Sequence, residues 1–98
     1  MSLPKTGTLD ANGETFEIDL NGSSVCLVTM TITGTITVAW TIKARGGSNA
    51  VNVTDSGGTA QSFTASGSLR VLGPGTLVGT ASGVSAGSCS IEADVASA

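Results

Sequence analysis

Apolar and polar side chains alternate through the stretch Val25–Arg45. Its apolar members occupy the even positions: Cys26, Val28, Met30, Ile32, Ile36, Val38, Trp40 and Ile42. Threonine fills most of the odd positions between them. Because a β-strand turns successive side chains to opposite faces, this pattern predicts a ribbon with one apolar face and one hydroxyl-bearing face. We expect the rest of the chain to pack around it.

Gly34 interrupts this stretch, which is about three times the usual length of a strand. We therefore predict two strands, 25–32 and 35–43, separated at Gly34. The apolar residues stay at even positions on both sides of Gly34. A single bent strand that changes sheets is therefore the alternative.

Shorter strands are predicted on both sides of the ribbon. Residues 15–20 alternate cleanly, and the turn dipeptide Asn21-Gly22 that follows predicts an antiparallel hairpin with the ribbon. The remaining strands are expected at Val51 and Val53, and over 59–65, 68–72, 76–81 and 88–95, with a loop of small residues at 82–87.

Short strands with turn residues between them, and no helical period, indicate one antiparallel β-sandwich of about eight strands, jelly-roll or immunoglobulin-like. The 98 residues suffice for one all-β domain with its own core. We assign residues 9–98 to the sandwich and residues 1–8, which contain Pro4 and Gly7, to an extended N-terminal arm.

Composition narrows the classes of function. Charged residues make up 11% of the chain, against about a quarter in an average protein. The net charge of −3 with four basic residues argues against nucleic-acid binding, which needs clustered cations. No apolar run is long enough for a membrane span, and the opening residues lack a signal-peptide pattern, so neither a membrane partner nor export is expected.

Residues suited to catalysis are scarce. The absence of histidine removes the commonest general base and the usual metal ligand. Glu17 with Asp19, and Glu92 with Asp94, form same-face pairs that would make one acidic patch if their strands were neighbours. A solvated face is favoured over a calcium site or a glycosidase pair, because sugar-stacking aromatics are few and Trp40 has the core phase. We expect no enzyme, no catalytic residue, no cofactor and no metal.

Cys26 and Cys89 both occupy the apolar phase of predicted strands. Two buried, reduced thiols are expected, since nothing in the sequence indicates secretion. A disulfide between neighbouring core strands is the alternative.

Several segments resemble the small β-sandwich modules of tailed-bacteriophage virions, over about the last two-thirds of the chain. The similar segments are Gly-Thr-Ile-Thr-Val at 34–38, Gly-Gly-Ser-Asn at 46–49, Val-Asn-Val-Thr-Asp-Ser-Gly-Gly-Thr at 51–59, Gly-Ser-Leu-Arg-Val at 67–71, and Gly-Ser-Cys-Ser-Ile-Glu-Ala at 87–93. The chain departs from those modules at Leu69, where they often carry an aromatic residue, and at Asn49 and Ala50, where they often carry tryptophan.

The resemblance implies a virion structural protein, with a capsid decoration (cement) protein that binds and stabilises the shell as the favoured form. The implied partners are the major capsid protein or other virion proteins, and a homo-oligomer, with a trimer favoured. The chain would be assembled in the host cytoplasm and reside in the virion. A tail-fibre or baseplate module that binds a glycan or receptor is the alternative, with a glycan less favoured. The candidate interaction residues are Leu3, Pro4, Lys5, Thr31, Thr33, Thr35 and Thr37.

Overall fold

Two long strands organise the structure, a computed structural model that describes residues 5–20, 24–44, 46–54, 58 and 60–97. All of its regular elements are strands, which confirms the predicted all-β class. They are β1 (Lys5–Leu9), β2 (Thr15–Leu20), β3 (Ser24–Lys43), β4 (Val51–Asn52), β5 (Ser62–Phe63), β6 (Gly67–Leu72) and β7 (Gly75–Ser97).

β3 and β7 pair antiparallel with each other along nearly their whole length, from Ser24 opposite Ser97 to Lys43 opposite Thr76. The predicted division of the ribbon at Gly34 is therefore wrong, because β3 is one strand of 20 residues. The loop predicted at 82–87 is wrong for the same reason, since those residues belong to the 23 residues of β7. The pairing shifts register between Thr33 and Thr37. Such a bulge bends a ribbon without ending either strand.

Glycines allow the two backbones to approach closely at this bend. Gly34 has φ of +71°, and a Cβ there would lie 2.3 Å from the carbonyl oxygen of Ala86. On the other strand, a Cβ at Gly87 would lie 2.2 Å from the carbonyl oxygen of Thr35. Real Cβ atoms do not tolerate such distances, so the glycine that suggested a strand end instead permits a sharp bend within one strand.

The bend folds the sheet into two layers of a sandwich. In the first layer, the first half of β3 pairs with β6 and the second half of β7 pairs with β1, in the order β1-β7-β3-β6. In the second layer the order is β2-β7-β3, and then β4 and β5 follow end to end along one edge of β3. With each long strand counted once per layer, and β4 and β5 counted together as one edge position, this is the eight-segment order of a jelly roll, which decides between the two predicted sandwich types.

The layered topology also changes two predictions near the N-terminus. β2 pairs with β7, with Phe16 opposite Gly79, so the hairpin predicted between β2 and β3 is wrong. These strands cannot form a hairpin because β2 and the first half of β3 lie in opposite layers. Residues 5–8, assigned to an arm from the sequence, belong to β1 and pair with β7. Residues 1–4 of that arm lie outside the described residues.

The core fills the space between the layers. Trp40 is 1% exposed, as predicted, and it packs edge-on against Phe16 with ring centroids 6.3 Å apart. Its Nε1 donates to Sδ of Met30, in the opposite layer, at 3.3 Å. Gly79, across the ladder from Trp40, leaves room for the indole, because a Cβ there would lie 2.8 Å from the ring. Trp40 therefore holds the two layers together.

Replacement of Gly34 by alanine should destabilise the protein by about 2–5 kcal/mol. About 1–2 kcal/mol comes from the left-handed backbone conformation, and the remainder from the overlap with Ala86. Urea unfolding would measure this loss. Gly13→Ala is the matched control, since Gly13 has φ of +84° and a Cβ added there would have no neighbouring atom within 4 Å. It should lose only the conformational part, and equal losses for the two variants would contradict the role given to the bend.

Candidate functional site

The polar side chains that could contact a partner lie on the outer faces of the two layers. In the described part of the chain the fold encloses no cavity, and no three acidic, cysteine or histidine side chains are close enough together to hold a metal ion. Across the same residues, no helix has the length and apolar character needed to cross a bilayer.

The four carboxylates considered as one acidic patch do not come together. Glu17 and Asp19 lie on β2, on the outer face of the second layer, and Asp19 Oδ1 accepts a hydrogen bond from Thr76 Oγ1 at 2.8 Å. Glu92 and Asp94 lie on the half of β7 that belongs to the first layer, where β1 and not β2 is the neighbour. The two acidic pairs are therefore on opposite outer faces, and the condition for a shared patch is not met.

The predicted threonine face is a convex row and not a flat surface. Thr31 and Thr33 are exposed on the first layer, with Thr33 beside Ser88. Thr35 is exposed at the bend, and Thr37 is half-buried on the second layer. Because the inner faces of the layers meet, the outer faces point away from each other. The row therefore continues around the outside of the bend. Its role in binding stays a prediction.

Hydroxyl groups of neighbouring strands extend this convex row sideways. The hydroxyls of Thr33 and Ser88 are 3.0 Å apart, and Ser90 lies opposite Thr31. Ser66 Oγ accepts a hydrogen bond from the backbone N–H of Ile32 at 2.8 Å. This bond gives the Ile32 N–H a partner on the side of β3 that faces β6. A hydroxyl group can both donate and accept. The surface can therefore form hydrogen bonds with both donor and acceptor groups of a partner.

Lys5 has a structural role in addition to its predicted one. Its ammonium group donates to the backbone carbonyl of Glu17 and lies 5.4 Å from the centroid of the Phe16 ring. These contacts connect β1 in the first layer with β2 in the second. Leu3 and Pro4, the other candidates at this end, lie outside the described residues.

An apolar strip on the first layer was missed by sequence reasoning. Leu72 is 72% exposed at the end of β6, and beside it on β3 lie Val25 and Leu27, both half-buried on the outer face. The available signal was that Val25 and Leu27 occupy odd positions where threonine stands further along the strand. Their proximity to Leu72 depends on the pairing of β6 with β3, which the alternation of the sequence does not specify.

The two cysteines are buried, unbonded thiols. Cys89 pairs with Ile32, six residues along β3 from Cys26. This separation amounts to about 20 Å along a strand, beyond the reach of a disulfide, so the disulfide alternative is wrong. Burial raises the pKa of both thiols, and the carboxylate of Asp94 raises that of Cys26 further.

No protein-family model matches this chain, and no curated protein matches it at a significant level. A functional proposal therefore depends on the geometry of the surface together with the segment resemblance.

Native Cys26 and Cys89 should react slowly with a thiol reagent at pH 8. The raised pKa values reduce the reactive thiolate fraction, and burial requires the fold to open before reagent can enter. Ellman's reagent should titrate two thiols per chain in denaturant and react at least about a hundredfold more slowly with the folded protein.

Ser90→Cys provides the matched control, since Ser90 is exposed and directly follows Cys89. One thiol of that variant should react rapidly in the folded state. Rapid reaction of the unmodified protein, or fewer than two thiols in denaturant, would contradict the burial of two reduced cysteines.

Proposed function

We propose that this chain is a structural protein of a bacteriophage virion, and that it decorates the capsid shell and stabilises it by binding the major capsid protein. The observation that carries the proposal is the convex threonine row from Thr31 to Thr37. The resemblance of five segments to phage virion modules supports the same proposal.

The low surface charge favours a role in assembly. Removing a hydroxyl group from water costs far less than removing an ion, so a threonine-rich surface can be buried against a partner at low cost. Thr31 and Thr33 lie where β3 pairs continuously with β7, so this part of the row is held in place before binding. Little conformational entropy is lost when such a surface docks.

The fold is compatible with this role without dictating it. Jelly rolls occur in viral capsid domains, lectin domains and cupins, so the fold alone does not choose among them. In the proposal the threonine row fits a depression between capsid subunits, because the row is convex. Several copies would act together on a particle, with a trimer as the stoichiometry favoured by the resemblance.

The alternative, a tail module that binds a glycan, has less support from the surface. Sugar-binding modules use exposed aromatic rings, whereas Trp40 and Phe16 are buried and Phe63 is half-buried. A protein receptor at the tail remains part of the alternative and is distinguished by experiment.

Co-sedimentation with empty shells tests the proposal. The shells would be assembled from the major capsid protein encoded nearest to this chain's gene, and the unmodified chain should sediment with them. Thr31→Lys should leave the fold intact, because Thr31 is exposed, and weaken shell binding by at least about tenfold through a bulky charge in the contact. Thr35→Lys should act in the same way at the bend.

Thr15→Lys is the matched control, since Thr15 is also exposed but lies on the outer face of the second layer. It should bind shells as the unmodified chain does. Failure of the unmodified chain to sediment with shells would contradict the proposal, and so would equal binding by all the variants. Binding to a glycan array or to tail particles instead would favour the alternative.

A further inference from the structure

The apolar strip formed by Val25, Leu27 and Leu72 is flanked by opposite charges. Arg70 on β6 pairs with Leu27 from one side, and Asp94 on β7 pairs with Leu27 from the other. Glu92 lies two residues from Asp94 on the same face, opposite Thr29. The strip therefore has a cationic side along β6 and an anionic side along β7.

Arg70 and Asp94 are both exposed, and Leu27 lies between them. Their backbones are two strand spacings apart, or about 10 Å. Both charges therefore flank the apolar centre and are available to a molecule that covers the strip.

We propose that a second copy of this chain covers the strip, face to face, with a two-fold axis that runs along β3. Rotation by 180° about that direction exchanges the two sides of the face. It places Arg70 of each copy over Asp94 and Glu92 of the other, while Val25 and Leu27 of the two copies meet at the centre. The contact is isologous, so each opposite-charge interaction occurs twice.

The charges select this axis over the other two-fold arrangement. An axis across the strands, through Leu27, would keep each side of the face over itself. Arg70 would then face Arg70 of the second copy, and Asp94 would face Asp94. Like charges held together in an interface are unfavourable, whereas the axis along β3 is complementary throughout.

The size of the face sets the expected strength. Four strands spaced by about 4.8 Å give a layer about 20 Å wide, and the six residues over which β3 pairs with β6 span about 20 Å. The face therefore covers about 400 Å², about half of the ~800 Å² per partner in a standard interface. We therefore expect a reversible dimer that dissociates on dilution. This pairing is independent of capsid binding, and it gives two copies where the sequence resemblance favours three.

Sedimentation equilibrium of the purified chain over a wide concentration range tests the pairing without any capsid present. The mass should rise with concentration from the 9.5 kDa of one chain towards twice that value. It should fall again as salt is added, because the flanking charges are screened. A mass of one chain at every concentration, or a rise to three times that of one chain, would overturn the proposal.

Charge-reversal variants test the axis. Arg70→Glu and Asp94→Arg should each raise the dimer dissociation constant by at least about tenfold, because each places like charges in contact twice. A mixture of the two variants should recover a one-to-one dimer, since each then supplies the charge that the other needs. The proposed axis would be overturned if the mixture formed no dimer, or if either variant alone formed a dimer as readily as the unmodified chain.

Controls come from the outer face of the second layer, where Lys43→Glu and Glu17→Arg make the same charge changes. Neither should alter the mass, and circular dichroism should confirm that every variant is folded. Leu72→Ser tests the apolar part independently of charge, and should weaken the dimer because Leu72 is 72% exposed in the single chain. An unchanged dimer in that variant would exclude the strip as the contact.

Discussion

The close approach of two backbones at the bend is the constraint on which this structure depends. Gly34 and Gly87 lie where β3 and β7 come too near for a Cβ atom on either strand. The bend turns one long ribbon into two facing layers. Only then can Trp40 of one layer reach Met30 of the other and close the core. The jelly-roll order follows, because each long strand is central in both layers.

Much of the core was predictable from alternation alone. The even-numbered residues of β3 point inward as expected, because the side-chain period of a strand survives a bend. The strand boundaries were not predictable from residue types. A glycine can end a strand or permit a bulge, and the outcome at Gly34 depends on Gly87, more than 50 residues away. Partners such as β2 and β7 depend on the same distant contact.

Some features of the surface follow from residue types, and others depend on which strands pair. Threonine at odd positions correctly indicated a row of outward-facing hydroxyls, yet its convex shape results from the bend. The strip around Leu27 exists only because β6 and β7 bring Arg70 and Asp94 to its two sides. To predict that these three residues lie side by side, the register of β3, β6 and β7 must be known. Local sequence predicts well which side chains face solvent, and predicts poorly which residues of distant strands lie beside them.

The central position of β7 in both layers has a consequence for the order of folding. β7 follows the other described strands along the chain, yet it is hydrogen-bonded to β1, β2 and β3. During synthesis, β1 and β2 emerge from the ribosome before the strand with which they pair. Pairing between distant segments is intrinsically slow. Neither layer can therefore be completed until β7 has emerged, and the two layers form together as one unit.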